Sequence, residues 1–508
     1  MPFAQATFSS YIPFDSRFGL PQTPSTLTGV QSATTYGTAC PQLAFQLDDI
    51  PLDMTPTKRR KRQSLEESED CLFINVIRPG GTAANANLPV LFWIFGGGFE
   101  EGDTSEYDGT YLVTRSVQLN EPMIYVSANY RLNAFGFLAS SEVQAAGVGN
   151  LGLRDQRFAL EWVQSNIALF GGDASKNVSW GQSAGSVSVG LQLVINGGNP
   201  AGLFQAAFME SGTPVPLTPL SSGQQWYNQL VSATGCSSAS NTLACLTTVP
   251  SNLRQLVWRP GIDGSLITED PMVSVANGNY AKVTEQGFWA FQLLTFLFQV
   301  PFIAGDVDDE GTTNAEATNY MPSATTSEFE PLTILYPNDQ TQSGVQTVGR
   351  FPRRLSTTGT ELWDDRRYFM KIASTTQDAW GYCTFSDLDV LNLYNKFENK
   401  IILVYKRGKN ESCLGSAHGH EVPEFYGMEG SDNQGSDAII NFVNTFNPNT
   451  VTGNSGISSL ISWPQYGTDL IAPPLLTFTD PDGLSITTDT YRVAGMQTFM
   501  NLFSFYDV

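Results

Sequence analysis

The order of elements along the chain predicts an α/β protein built on a large, mostly parallel central sheet flanked by helices. Apolar runs of strand length recur between segments of helical period. Two of those runs end in glycine-rich turns, Gly-Gly-Gly at 96–98 and Gly-Gln-Ser-Ala-Gly at 181–185. No internal repeat and no linker rich in Pro, Gly or Ser divides the 508 residues, so one domain, 1–508, is expected.

In chain order, 88–95 and 123–128 read as buried strands, apolar almost throughout as parallel strands are. Residues 155–170 place Ala159, Val163, Ile167 and Phe170 at helical spacing. A short strand at 178–181 leads into a helix at 184–194, and further strands follow at 204–209 and 302–305.

Composition excludes several classes. Apolar residues make up 41%, aromatic residues 12% and charged residues only 15%, a core-forming mixture that excludes disorder for most of the chain. A net charge of −22 repels nucleic acid and anionic membrane surfaces, so neither is expected as a partner. The longest apolar stretch, 287–305, is interrupted by Gln292, Thr295, Gln299 and Pro301 and does not make a membrane span. His418 and His420 are the only histidines, which argues against a multi-histidine metal site, and no cofactor is expected. The basic run 58–62 is followed by Glu66, Glu67, Glu69 and Asp70 and reads as a solvated loop. Six cysteines without a C-x-x-C pair suit disulfides in an oxidising compartment. Of two glycosylation sequons, Asn410 is the candidate, because Asn177 adjoins an apolar strand.

The chemistry concentrates in three places. Gly181 to Gly185 fits G-x-S-x-G, where glycines permit the tight turn that lifts Ser183 above a sheet. The same residues also fit an ordinary β–α turn with a serine cap. The triple glycine at 96–98 leaves backbone N–H groups able to approach a ligand, as an oxyanion hole requires, and no G-K-[ST] follows to make a phosphate loop. Serine needs a base, and His418 or His420 must supply it; the small residues around His418 suit an exposed loop. The orienting acid is Asp308, Asp309 or Glu310, just past the strand at 302–305.

With these residues assembled, the chain resembles the type-B carboxylesterase/lipase family, in its secreted fungal-type branch, the group that also includes the cholinesterases. Ser68-Glu69-Asp70-Cys71-Leu72 resembles the family's S-E-D-C-L signature, and residues 95–99 resemble its oxyanion segment. Gly149-Asn150 through Leu169-Phe170-Gly171-Gly172-Asp173 is similar to the helix that leads to the nucleophile, and 180–185 to the nucleophile turn itself. Asp309-Glu310-Gly311-Thr312 resembles the acid loop and singles out Glu310; His418-Gly419-His420-Glu421 resembles the histidine loop and selects His418.

The resemblance implies an α/β-hydrolase fold and a serine hydrolase that cleaves carboxylic esters through an acyl-serine intermediate. Ser183 is then the nucleophile, His418 the base and Glu310 its orienting acid, with Gly97, Gly98 and Ala184 as the oxyanion donors. It also implies disulfides Cys40–Cys71 and Cys236–Cys245, and secretion. The loop 40–71 that the first disulfide closes fits either a flap over the site or a static surface loop. Two other functional classes are weighed: an acyltransferase using the same triad, and a non-catalytic adhesion or scaffold protein, whose members generally lack a triad residue. The base must be neutral to act, so the rate is expected to rise with pH as the imidazole loses its proton.

The chain departs from the family pattern in four ways. Gln182 stands where a glutamate is usual, and Phe95 where many members have histidine. Pro2-Phe3-Ala4-Gln5 resembles a segment that the family reaches after a signal peptide and its first strands, so the start reads as truncated. The stretches 283–299 and 384–404 read as insertions, of the kind left by retained non-coding sequence.

Overall fold

The parallel sheet forms as expected, because its strands are apolar runs that helices cover. The computed structural model describes residues 4–9, 17–23, 29, 33–42, 66–249, 258–283, 298–299, 301–307, 400–406, 419, 421–428, 433–449, 462–464, 474–479 and 483–488. Its strands are β1 (Ala4–Ser9), β2 (Phe73–Arg78), β3 (Leu88–Ile94), β4 (Ile124–Ala128), β5 (Gly172–Gln182), β6 (Ala206–Glu210), β7 (Lys282–Val283), β8 (Phe298–Gln299), β9 (Phe302–Val307), β10 (Lys400–Lys406), β11 (Pro474–Thr479) and β12 (Gly483–Thr488). The helices are α1 (Thr110–Gln118), α2 (Asn133–Phe137), α3 (Ser141–Ala146), α4 (Leu151–Asn166), α5 (Ala184–Gly198), α6 (Gln224–Ala233), α7 (Thr242–Leu246), α8 (Pro271–Ala276), α9 (Val422–Tyr426) and α10 (Gln434–Thr445).

One sheet of ten strands runs in the order β1-β2-β4-β3-β5-β6-β9-β10-β11-β12. From β4 to β11 every neighbouring pair is parallel. Antiparallel pairs close both edges: β1 with β2, β2 with β4, and β11 with β12. Every residue of β4 and β6 is buried, which is why these strands read as apolar almost throughout, with Ser127 and Glu210 as the polar exceptions.

Differences from expectation have local causes. β5 begins at Gly172, six residues early, but its register against β3 shifts between Leu88 and Val90 and is regular only from Asn177. The mostly polar residues 173–176 form the irregular part, and only the apolar end was legible. α4 begins at Leu151 because Asn150 turns the chain with φ +54, and Leu151 and Leu153 are already buried. Past Asn166 the last turn tightens to a 3₁₀ helix at Ile167–Phe170. α5 leaves helical geometry at Ile195, Asn196 and Gly197, so its regular part ends at Val194.

The first suspected insertion, 283–299, starts and ends at neighbouring points: Lys282 pairs with Gln299 and Val283 with Phe298, outside the main sheet. The second suspected insertion, 384–404, lies outside the described residues up to position 399, and its last five residues belong to the sheet. Lys400 to Val404 supply the first five residues of β10, which bridges β9 and β11. The run Ile401-Ile402-Leu403-Val404 has the β-branched, apolar character that suits a parallel strand.

The core under the site is aromatic. Trp93 of β3 and Trp180 of β5 meet edge to face at 4.3 Å, and Tyr426 of α9 stacks on Trp180 at 4.5 Å. The Tyr426 hydroxyl pairs with that of Tyr125 on β4 at 2.9 Å, while Phe425 meets Phe208 of β6 at 5.0 Å. Burial pushes both tyrosine hydroxyls well above their ordinary range, so they stay neutral. α9 is thus fastened across β4, β3, β5 and β6 together.

Candidate active site

The turn at 181–185 is built by missing side chains. A Cβ on Gly185 would lie 2.0 Å from the Ile94 carbonyl oxygen, and one on Gly181 would lie 2.4 Å from the Gly185 carbonyl. No other residue fits where β5 passes into α5. Between them Ser183 adopts φ +56, ψ −125, a conformation that costs a non-glycine residue roughly 1–3 kcal/mol. Hydrogen bonds at both ends hold it there: Ser183 N–H donates to Glu210 O, and Val187 N–H donates to Ser183 O, each at 2.9 Å. The serine is half-buried, at the start of α5 and its positive dipole end.

The triple-glycine loop lies against this turn. A Cβ on Gly96 would come within 2.8 Å of the Ser183 Cβ. Gly97 and Gly98 follow at φ +102 and +66, and a Cβ on Gly97 would lie 2.1 Å from Glu101 O. Among the described residues, no hydrogen bond uses the N–H of Gly97, Gly98 or Ala184. Three donors therefore remain available beside a half-buried hydroxyl. The Gln42 side-chain amide clamps Gly102, donating to its carbonyl at 2.9 Å and accepting from its N–H at 3.1 Å. The start of the loop 40–71 is thereby tied to the glycine loop.

The other two sequence candidates are approached from their neighbours. Glu310 and His418 lie outside the described residues, as do Asp308, Asp309, His420 and Asn410. β9, after which Glu310 comes, runs parallel to β6 and ends at Val307. Beyond His418, Gly419 turns the chain at φ +88, and Glu421 immediately precedes α9. Glu421 is 2% exposed, and its Oε1 accepts from Gln182 Nε2 at 3.1 Å and from Ser211 Oγ at 2.6 Å. The residue next to the candidate nucleophile and the residue three past the candidate base are therefore joined. Sequence reasoning missed Glu421, although its place in His-Gly-His-Glu was the available signal. Glu210, in Met-Glu-Ser-Gly at the end of β6, was missed as well.

Both expected disulfides form: Cys40–Cys71 spans 31 residues and Cys236–Cys245 spans nine. The longer cross-link restricts the unfolded chain by an amount worth roughly 3–4 kcal/mol. Asn177 is buried in β5, its amide donating to Leu203 O at 2.8 Å, which closes that sequon. Among the described residues no group of three His, Cys, Asp or Glu side chains is arranged to hold a metal, and no helix is long and apolar enough to cross a membrane.

Comparisons with known proteins place the chain in a family. The Carboxylesterase family model matches residues 1–482. Secreted lipase 1 of Botryotinia fuckeliana is 35% identical, with 88% of this chain and 80% of that protein covered. Lipase 5 of Diutina rugosa is also 35% identical, with 92% and 86% covered. Among solved structures, Aspergillus niger EstA superposes with a TM-score of 0.77 at 25% identity, covering 100% of this chain and 96% of that one.

Proposed function

Because the chain belongs to the carboxylesterase family, and is an α/β-hydrolase-fold enzyme that cleaves carboxylic esters, we propose that Ser183, His418 and Glu310 perform that cleavage. Ser183 attacks the ester carbonyl while His418 takes its proton. His418 then returns the proton to the leaving alcohol, and Glu310 orients the imidazole and stabilises its charged form. The tetrahedral oxyanion is received by the N–H groups of Gly97, Gly98 and Ala184. Loss of one such donor typically costs about 2.7–4 kcal/mol of transition-state stabilisation. Water then repeats the attack on the acyl-serine.

One observation carries the assignment: the strained Ser183 turn stands against the glycine loop, with three backbone donors uncommitted among the described residues. The joining of Gln182 to Glu421 supports His418 as the base, since it brings the end of the histidine loop beside the nucleophile. The relatives' names, secreted lipases, favour hydrolysis over acyl transfer or a scaffold role. They also support an extracellular enzyme acting on lipid esters.

The test is labelling of the full chain with a fluorophosphonate probe. Wild type is expected to label, and Ser183→Ala is expected not to. A p-nitrophenyl ester series of increasing acyl length then reads the substrate class. Labelling that persists in Ser183→Ala would remove Ser183 from the mechanism. A rate confined to the shortest acyl chains would replace the lipase reading with a short-chain esterase.

A further inference from the structure

A second carboxyl group lies under the nucleophile turn, and the mechanism above does not use it. Glu210 ends β6 as the register partner of Gln182 on β5. It is 1% exposed, and among the described residues the one donor that acts on its carboxyl is the Trp180 indole, which makes no well-formed hydrogen bond to either oxygen. Its chain neighbour Ser211 and its cross-strand neighbour Gln182 both donate to Glu421 instead.

Two buried carboxylates this close do not both ionise readily: each is stripped of water and each repels the other. The hydrogen bonds decide which one keeps its charge. Glu421 accepts two well-formed ones, which favours its anion, whereas Glu210 has only the weakly placed Trp180 indole. We propose that Glu210 and Glu421 carry one proton between them, Glu421 being the anion that fastens the histidine loop to the nucleophile turn and Glu210 the neutral acid behind it. This deepens the reading above and rests on it for the role of His418, through which Glu421 acts as a positioning residue.

The surroundings fit. The titratable groups that act with Glu210 are Glu421, before α9, and Tyr426, on it. β5 contributes the Trp180 indole and the Gln182 amide, and the partner on β9 is Gly305. Burial first, and the Glu421 charge second, push the Glu210 carboxyl well above its ordinary 4.5; the nearby Trp180 indole opposes them. Folding therefore takes up a proton at Glu210. Stability from this source is complete below about pH 4.5 and declines as pH rises towards the raised folded value.

The first readout needs no activity. Thermal unfolding of the full chain is compared between wild type and Glu210→Gln from about pH 4 to about pH 8. The glutamine variant is expected to be more stable at the upper end, by roughly 2 °C or more, with the gap closing at the lower end. A variant equally or less stable at the upper end overturns the proposal. Infrared spectra near neutral pH provide a second readout: a protonated carboxyl band is expected in wild type and absent from Glu210→Gln. No such difference between the two spectra also overturns it.

Glu421→Gln tests the positioning role. It is expected to lower kcat about 10–100-fold with little change in KM, as a displaced catalytic group does. The acid limb of its rate profile is expected to move to lower pH, because the anion three residues past the base is gone. Unchanged kcat and an unmoved limb would remove Glu421 from that role. If wild type neither labels with fluorophosphonate nor turns over ester, the function fails separately, while the unfolding and infrared readouts still decide the carboxyl pair.

Discussion

The nucleophile turn and the helix that follows the histidine loop are held in place by opposite means. At 181–185 the backbone does the holding. Glycines remove every Cβ that would collide, and hydrogen bonds at Ser183 N–H and O fix a strained φ. α9 has only five residues and is held by side chains: Tyr426 against Trp180 and Trp93, Phe425 against Phe208, Glu421 on Gln182 and Ser211. Glu424 adds a bond from Gly435 N–H at 2.8 Å, which fastens α9 to α10. A strained turn is insensitive to what lies far away, because its constraints are covalent neighbours and the adjoining strand. A short helix has no such self-sufficiency and takes its position from a packed floor.

That contrast has measurable consequences. Tyr426→Ala should have the largest effect, costing about 3–5 kcal/mol in thermal or denaturant unfolding through the cavity left on Trp180. It should lower kcat at the same time, because Glu421 and the histidine loop move with α9. A stable variant with wild-type kcat would show that α9 does not position the base. Gly185→Ala should follow, at about 3 kcal/mol, since its Cβ meets backbone that cannot yield. Its fluorophosphonate labelling should be lost, and labelling at the wild-type rate would show that the turn tolerates a Cβ.

Ser183→Gly reverses the sign. Glycine adopts φ +56 without strain, so the inactive variant should be more stable by about 1 kcal/mol in denaturant titration. A loss of stability would place the strain elsewhere. The smallest effect belongs to Tyr426→Phe, which removes only the hydroxyl pair with Tyr125, at about 1 kcal/mol. Tyr125 keeps its bond to Tyr107 O, so kcat should stay near wild type. A large fall in kcat would make the hydroxyl pair, and not the ring stack, the anchor of the site.

Legibility in the sequence follows the same division. The apolar strands at 88–95, 123–128 and 204–209 appear within two residues of their expected ends, because burial on both faces leaves a continuous apolar signature. Gly181 to Gly185 and the triple glycine at 96–98 were legible because a residue without a side chain is itself a statement about crowding. Residues 173–176 were not, because a register shift leaves no compositional mark. The place of Lys400 to Val404 in the sheet was not legible either: nothing local says that an apolar run will bridge β9 and β11. Glu210 and Glu421 read as ordinary acidic residues, and only their meeting around Gln182 and Ser211 sets them apart.

By itself, then, the sequence determined the parallel α/β sheet, the nucleophile turn with its glycine loop, and the disulfides through resemblance. Periodicity, missing side chains and recognisable spacing are properties of neighbouring residues. Only the tertiary structure decided that α9 rests on Trp93 and Trp180, that Gln42 clamps Gly102, and that Glu210 and Glu421 come together beneath Ser183. Those contacts join residues far apart in the chain, and their energies depend on burial and mutual charge, which exist only once the sheet has closed over them.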